Sequence, residues 1–294
     1  MESSEFPLNK IESESWSWWP APAKINLFLH IVGRRADGYH LLQTAFQFVD
    51  LCDQVGVRLR TDGEIRYQSP IPGVACDQDL VFRAARRLRE IAKIPLGVDL
   101  QLRKSIPTGA GLGGGSSDAA TTLVALNWLW RLGLSEDALV DLGLSLGADV
   151  PVFVRGQAAW AEGVGELLTP IEPATPWYLI LMPNAQVSTS EIFSHPELTR
   201  DTNLIRIRSS FSQLTKNDCL ALVLRSFPEV KRAFDWLSMY AEPRMSGTGA
   251  AIFAAFDNEE KALLRLTQLP ENIAGFVAKG MNISPLKLSL AEKS

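Results

Sequence analysis

Apolar and polar residues alternate over residues 21–31, the run APAKINLFLHI, which predicts a strand with Lys24 and Asn26 on one face. A turn-rich loop over residues 33–40 follows and ends in two ring side chains, Tyr39 and His40. Period-two patterning predicts further strands at 42–50, 54–59 and 64–68, an amphipathic, one-sidedly basic helix at 79–91, and a half-buried strand at 98–102. Between residues 104 and 117 the alternation stops, and five glycines fall between Gly109 and Gly115. Helical patterning takes over for 118–132. A second helix, capped by Ser135, runs to Leu146 and is stopped by Gly147. Asp149 reads as a turn residue before Pro151 and an apolar run, and 157–162 as a strand.

Pro170, Pro173 and Pro176 then mark a shift in composition, where a domain boundary is placed. Beyond it the pattern predicts a buried strand at 177–182 and a helix opening at 189–193. Helices follow at 217–226 and 229–240, then a small-residue turn at 245–250 leading into a strand, a helix at 261–269 and a last strand at 275–278. The division is an extension at 1–19, an N-terminal domain at 20–168 and a C-terminal domain at 169–294.

The chain has 294 residues, 46% hydrophobic and 21% charged, which are globular values. A net charge of −4 argues against a general nucleic-acid or membrane-surface binder, and no apolar run approaches the ~20 residues of a membrane span. Three widely spaced cysteines, with no zinc-type spacing, suit a reducing cytoplasmic setting. The first residues are acidic and lead to Trp16, Trp18 and Trp19, unlike a secretory or transit signal.

The glycine stretch carries the chemistry. Glycines let backbone N–H groups converge on one point, and a helix start adds unpaired donors and a positive dipole end, which together cradle phosphate. Three readings compete. A P-loop needs Lys after the last glycines, where Gly115 stands. Gly109-x-Gly111-x-x-Gly114 fits the dinucleotide fingerprint, with Glu136 at a suitable distance, but residues 104–108, with Pro107, intervene after the strand. A plain flexible linker would seldom end in a clean Ser-capped helix, as Ser116 and Ser117 suggest here.

The third reading is a resemblance. Pro107-x-Gly109-x-Gly111-Leu112-Gly113-Gly114-Gly115-Ser116-Ser117 is similar to the ATP loop of the GHMP kinases. Ala21 to Asn26 and Ser246 to Ala250 resemble that family's two other signatures. Arg35-x-Asp37-Gly38-Tyr39-His40 and Gly147-Ala148-Asp149-Val150-Pro151 narrow it to the branch whose substrate joins cytidine diphosphate to methylerythritol, in non-mevalonate isoprenoid synthesis. The resemblance spans residues 20 to about 286. It implies an α+β fold of two domains, the first like domain 2 of ribosomal protein S5 and the second ferredoxin-like, with the active site in the cleft between them. It also implies an ATP-dependent kinase acting on a tertiary alcohol at C2, as a monomer or weak homodimer.

Carried over by position, the catalytic lysine is Lys24 and the catalytic aspartate Asp149. ATP would be held by Pro107, Thr108, Gly109, Ala110, Gly111, Leu112, Gly113, Gly114, Gly115, Ser116 and Ser117, with Lys104 near the base. Asn26, Tyr39, His40, Phe46, Thr189 and Phe193 fall around the cytidylyl substrate. Mg²⁺ is expected with the phosphates, and Ser117 as its hydroxyl ligand. Asp79 departs from the Asn of that pattern near the adenosine.

Those residue types suit phosphoryl transfer, which is mainly positioning and charge stabilisation. A carboxylate can take the proton of the attacking hydroxyl, a lysine can oppose charge on the moving group, and aromatic rings such as Tyr39 and Phe193 can flank a pyrimidine.

Overall fold

A computed structural model describes residues 15–68, 74–205 and 215–293. The N-terminal half runs β1 (Ser17–Arg34), β2 (His40–Arg60), β3 (Ile65–Tyr67), α1 (Leu80–Ala92), β4 (Gly97–Arg103), α2 (Gly114–Leu129), α3 (Glu136–Leu144), α4 (Val150–Arg155), β5 (Ala159–Glu162) and β6 (Leu167–Pro170). The C-terminal half runs β7 (Trp177–Pro183), α5 (Thr189–Ser194), α6 (Leu220–Ser226), α7 (Pro228–Ser238), β8 (Arg244–Met245), β9 (Ile252–Phe256), α8 (Glu259–Leu266), β10 (Ile273–Met281) and α9 (Pro285–Lys293). Strands order as β3-β4-β2-β10-β7-β9-β8, with β1 and β5 also on β2. The two halves join where Gly280 and Met281 of β10 pair with Val49 and Phe48.

Several boundaries differ from the sequence expectations. Residues 1–14 of the expected extension lie outside the described residues, but β1 begins at Ser17, and Trp19 is fully buried against α2 and the sheet. The strands expected at 42–50 and 54–59 are one strand, β2, whose pairing with β1 slips between Pro22 and Ala23, so a bulge takes up the polar break. Further slips follow Asn26 and Ile31, so β1 is irregular where Lys24 and Asn26 sit. Helix α2 starts at Gly114, four residues early, with Gly113 as its left-handed N-cap; Ser116 and Ser117 lie inside its first turn. Residues after Asp149 form the short helix α4, because Pro151 is tolerated in a first turn. Strand β6 and helix α9 had no sequence expectation.

Burial explains the glycine loop's shape. Gly109, Gly111 and Gly113 have φ of +71°, +76° and +73°, a region that L side chains rarely adopt. Between them Ala110 and Leu112 are buried in a cluster with Ile25, Trp160, Ile180 and Phe253. Alternate residues therefore anchor the loop to a core shared by both halves while the glycines let it curve. Gly111 has a second constraint: a Cβ there would sit 2.3 Å from the Ser246 carbonyl oxygen.

Candidate active site

Bulged β1 sends Lys24 toward the loop. Its main-chain N–H donates to the Leu112 carbonyl at 2.9 Å, and Nζ donates to Asn26 Oδ1 at 2.6 Å and to the Gly111 carbonyl at 3.2 Å. Nζ also lies 3.3 Å from Asp149 Oδ2, at the N-cap of α4, and 5.1 Å from the centre of the Phe46 ring. Lys24 is buried, whereas the Asp149 side chain is 35% exposed. Asn26 is held in turn: Nδ2 donates to Thr44 Oγ1 at 2.9 Å, and Ser246 Oγ accepts from its main-chain N–H at 3.1 Å. Ser246 Oγ donates to the Gly111 carbonyl at 2.8 Å, and Asn217 Nδ2 donates to the carbonyls of Met245 and Gly247. The three signature stretches thus meet at one point.

Lys104 lies on the far side of the loop. It pairs with Asp53 and, at 2.9 Å, with Asp118 Oδ2, both fully buried. Burial pushes the Asp118 carboxyl up to about 8, against the opposing pull of Lys104, and the Asp53 charge adds to the rise. Burial works against the Lys104 charge, yet the two carboxylates outweigh it and hold its pKa above the ordinary value. Asp53 also accepts main-chain N–H bonds from Ser105 and Ile106, so the triad ties β2, the lead-in to the loop and α2.

Tyr39, His40, Thr189 and Phe193 line one cavity of about 560 Å³ with Arg34, Asp37 and Ala148. Ala148, the residue before Asp149, lines the cavity, while Asp149 itself does not. His40 and Phe193 stack at 4.9 Å and 26°, while Tyr39 stays 64% exposed. Asn26 and Phe46 do not line the cavity; both are buried beside Lys24. Thr189 Oγ1 shares a 2.9 Å hydrogen bond with Thr248, which joins the cavity to the Ser246–Ala250 turn. Asp79 caps α1 by accepting from Val81 N at 2.9 Å, a role Asn would fill equally well. Arg200 had no signal in the sequence, since its partners are created by the shape of its loop. The same holds for Asp53 and Asp118.

Residues 79–157 match the family model described as the GHMP kinases N-terminal domain. Over 271 residues the chain is 56% identical to 4-diphosphocytidyl-2-C-methyl-D-erythritol kinase of Pseudomonas savastanoi pv. phaseolicola, covering 92% of this chain and 94% of that protein. The chain belongs to the 4-diphosphocytidyl-2-C-methyl-D-erythritol kinase family. A second family member, from Nitrosococcus oceani, is 56% identical over 94% of this chain and 98% of its own length. A crystal structure of 4-(cytidine 5'-diphospho)-2C-methyl-D-erythritol kinase aligns with a TM-score of 0.78 and 32% identity over 90% of this chain and 99% of that one. A mevalonate kinase structure aligns at 0.67 with 16% identity, which places both on the mixed α+β fold of the GHMP kinases. As a GHMP kinase, this family member takes its phosphoryl group from ATP. Among the described residues no helix is long and apolar enough to cross a membrane.

Proposed function

We propose that this chain transfers the γ-phosphoryl group of ATP to the C2 hydroxyl of 4-diphosphocytidyl-2-C-methyl-D-erythritol. The observation that carries the reading is the Lys24–Asp149 pair at 3.3 Å, in which Lys24 bonds the glycine loop and Asp149 follows a residue, Ala148, that lines the Tyr39–Phe193 cavity. Residues 20–168 and 169–294 act as two lobes about that point.

Backbone N–H groups of the loop and the start of α2 hold the phosphates. Pro107 and Thr108 lead into this cradle, and Ser116 stands in the first turn. Asp149 accepts the proton of the attacking hydroxyl. Lys24, held by Asn26 and the Gly111 carbonyl, opposes negative charge on the moving phosphoryl group. A tertiary alcohol is crowded, so its alignment against Asp149 and the phosphoryl group counts for much of the rate. Tyr39 and Phe193 flank the pyrimidine, and polar groups around His40 read its edge.

Mg²⁺ fits one feature of the chain: the Ser117 hydroxyl, in the first turn of α2, is buried without a hydrogen-bond partner among the described residues. A bound Mg²⁺ would neutralise phosphate charge there. Among the described residues no cluster of three His, Cys, Asp or Glu could hold a metal ion, which suits an ion carried mainly by the nucleotide.

The test is a phosphorylation assay with the cytidylyl substrate beside mevalonate and homoserine. Transfer to the cytidylyl substrate alone is expected, and preference for either small alcohol would overturn the reading.

A further inference from the structure

Arg200 stands in the stretch after α5, outside every motif. Its guanidinium is a hub. Nε donates to His40 Nε2 at 3.0 Å, Nη2 to the carbonyls of Phe193 and His195 at 2.9 and 2.7 Å, and Nη1 to the Leu198 carbonyl at 3.1 Å. The Phe193 and His195 carbonyls lie at the C-terminal end of α5, where acceptors lack helical partners and a cation is favoured.

An arginine donates and never accepts. His40 Nε2 is therefore the acceptor, which leaves the imidazole neutral with its proton on Nδ1. The same ring lies flat on Phe193. One guanidinium thus fixes the His40 tautomer, the plane of its ring and the spacing between two walls of the cavity: Gly38–His40 on one side and α5 on the other. A lysine could not do this, because its compact ammonium cannot span four acceptors in one plane.

We propose that Arg200 is a positioning residue for the cytidylyl site, latching α5 to His40 and presenting His40 as a fixed Nδ1–H donor. This rests on the reading that the cavity takes the cytidylyl group. Burial, then Arg200 and Arg34, depress the His40 pKa. Asp37 and Tyr39 are the other ionisable groups lining the cavity.

The test compares wild type, Arg200→Met, Arg200→Lys, His40→Ala and the double variant in steady-state kinetics. Proton NMR titration of His30, His40 and His195, the chain's three histidines, accompanies it. Arg200→Met should raise KM for the cytidylyl substrate roughly tenfold, the scale of a lost charged hydrogen bond. KM for ATP and kcat should change by less than about twofold, and Arg200→Lys should recover only part of the loss. In the His40→Ala background Arg200→Met should add little, as expected of coupled neighbours. The His40 titration should move to higher pH in Arg200→Met. Unchanged KM and unchanged His40 titration would overturn the latch, and so would an equal loss across kcat and both substrates, which marks a merely structural role. If His40→Ala itself leaves KM unaltered, the cytidylyl reading of the cavity fails. If His40→Ala raises KM and Arg200→Met does not, the latch alone fails.

Discussion

Two lysines border the glycine loop, and each is paired with aspartate, but in opposite ways. Lys104 is held between Asp53 and Asp118, both fully buried, and its amino group lies against the first residue of α2. Lys24 has one carboxylate partner, Asp149, which is one-third exposed, and its other acceptors are neutral oxygens. A charge locked between two buried carboxyl groups cannot leave without stranding the ionised one in a low dielectric. A charge whose partner is partly wet can turn to a new anion at little cost. The exposure of the partner, rather than the lysine itself, separates the group suited to chemistry from the group suited to holding the loop.

The largest effect should come from breaking the exposed pair. Asp149→Asn keeps size and removes the base, so turnover should drop by about 10²–10⁴-fold, with ATP affinity by calorimetry little changed. Turnover close to wild type would take the proton-accepting role from Asp149 and leave the two lysines chemically alike. Lys104→Met tests the other pair. A buried Asp53–Asp118 pair left without its cation should cost about 3–5 kcal/mol of stability, read from urea unfolding. A variant as stable as wild type that loses only ATP affinity would make Lys104 a nucleotide contact, as its position in the family pattern implies.

The loop between the lysines sharpens the contrast at smaller scale. Gly109 and Gly113 share a left-handed φ, so alanine at either should cost about 1–2 kcal/mol in strain. Their surroundings differ. A Cβ at Gly109 meets nothing within 4 Å, whereas one at Gly113 would lie 2.7 Å from the Phe153 ring and 3.1 Å from Lys24 Cε. Gly109→Ala should therefore weaken ATP binding with little further loss of stability. Gly113→Ala should lose clearly more stability and shift Lys24 as well. Equal unfolding midpoints for the two would show that Phe153 yields freely and that the loop is not anchored from below.

How much of this was legible follows the range of the interactions. Lys24 and Asn26 share a face because strand geometry puts alternate residues there, and the Ser135 cap and the glycine run before α2 are equally local. The start of α2 was misplaced because the expectation gave the helix start to serine, whereas Gly113 itself supplies the left-handed turn into the helix. Asp53 and Asp118 were silent because their partners lie 14 to 53 residues away in sequence, and Arg200 because its side-chain partner His40 lies 160 away. A buried charge is recognisable only once its neighbours are known. The stacking of His40 on Phe193 was hidden for the same reason, since Arg200, which bonds that ring, is distant from it in sequence.

A last effect, spread over pH, separates the two carboxyl groups of the buried triad. Asp53 accepts two main-chain N–H bonds besides Lys104, but Asp118 Oδ1 has no partner among the described residues. With one ammonium between two carboxylates, the less solvated acid keeps its proton, which accords with Asp118 being pushed up to about 8 by burial. An unfolded aspartic acid titrates near 3.9. A carboxyl raised on folding stabilises below the unfolded value, and that stability is lost as pH rises through the folded one. Asp118→Asn copies the neutral form and removes the titration. Relative to that variant, wild type should lose stability between about pH 4 and 8, by no more than about 1.4 kcal/mol per pH unit, and the difference should level off above. Urea midpoints of both proteins at four pH values across that window would show it. Wild type gaining on the variant as pH rises would mean that Asp118 is ionised in the fold, and that Lys104 is gripped by two charges rather than one.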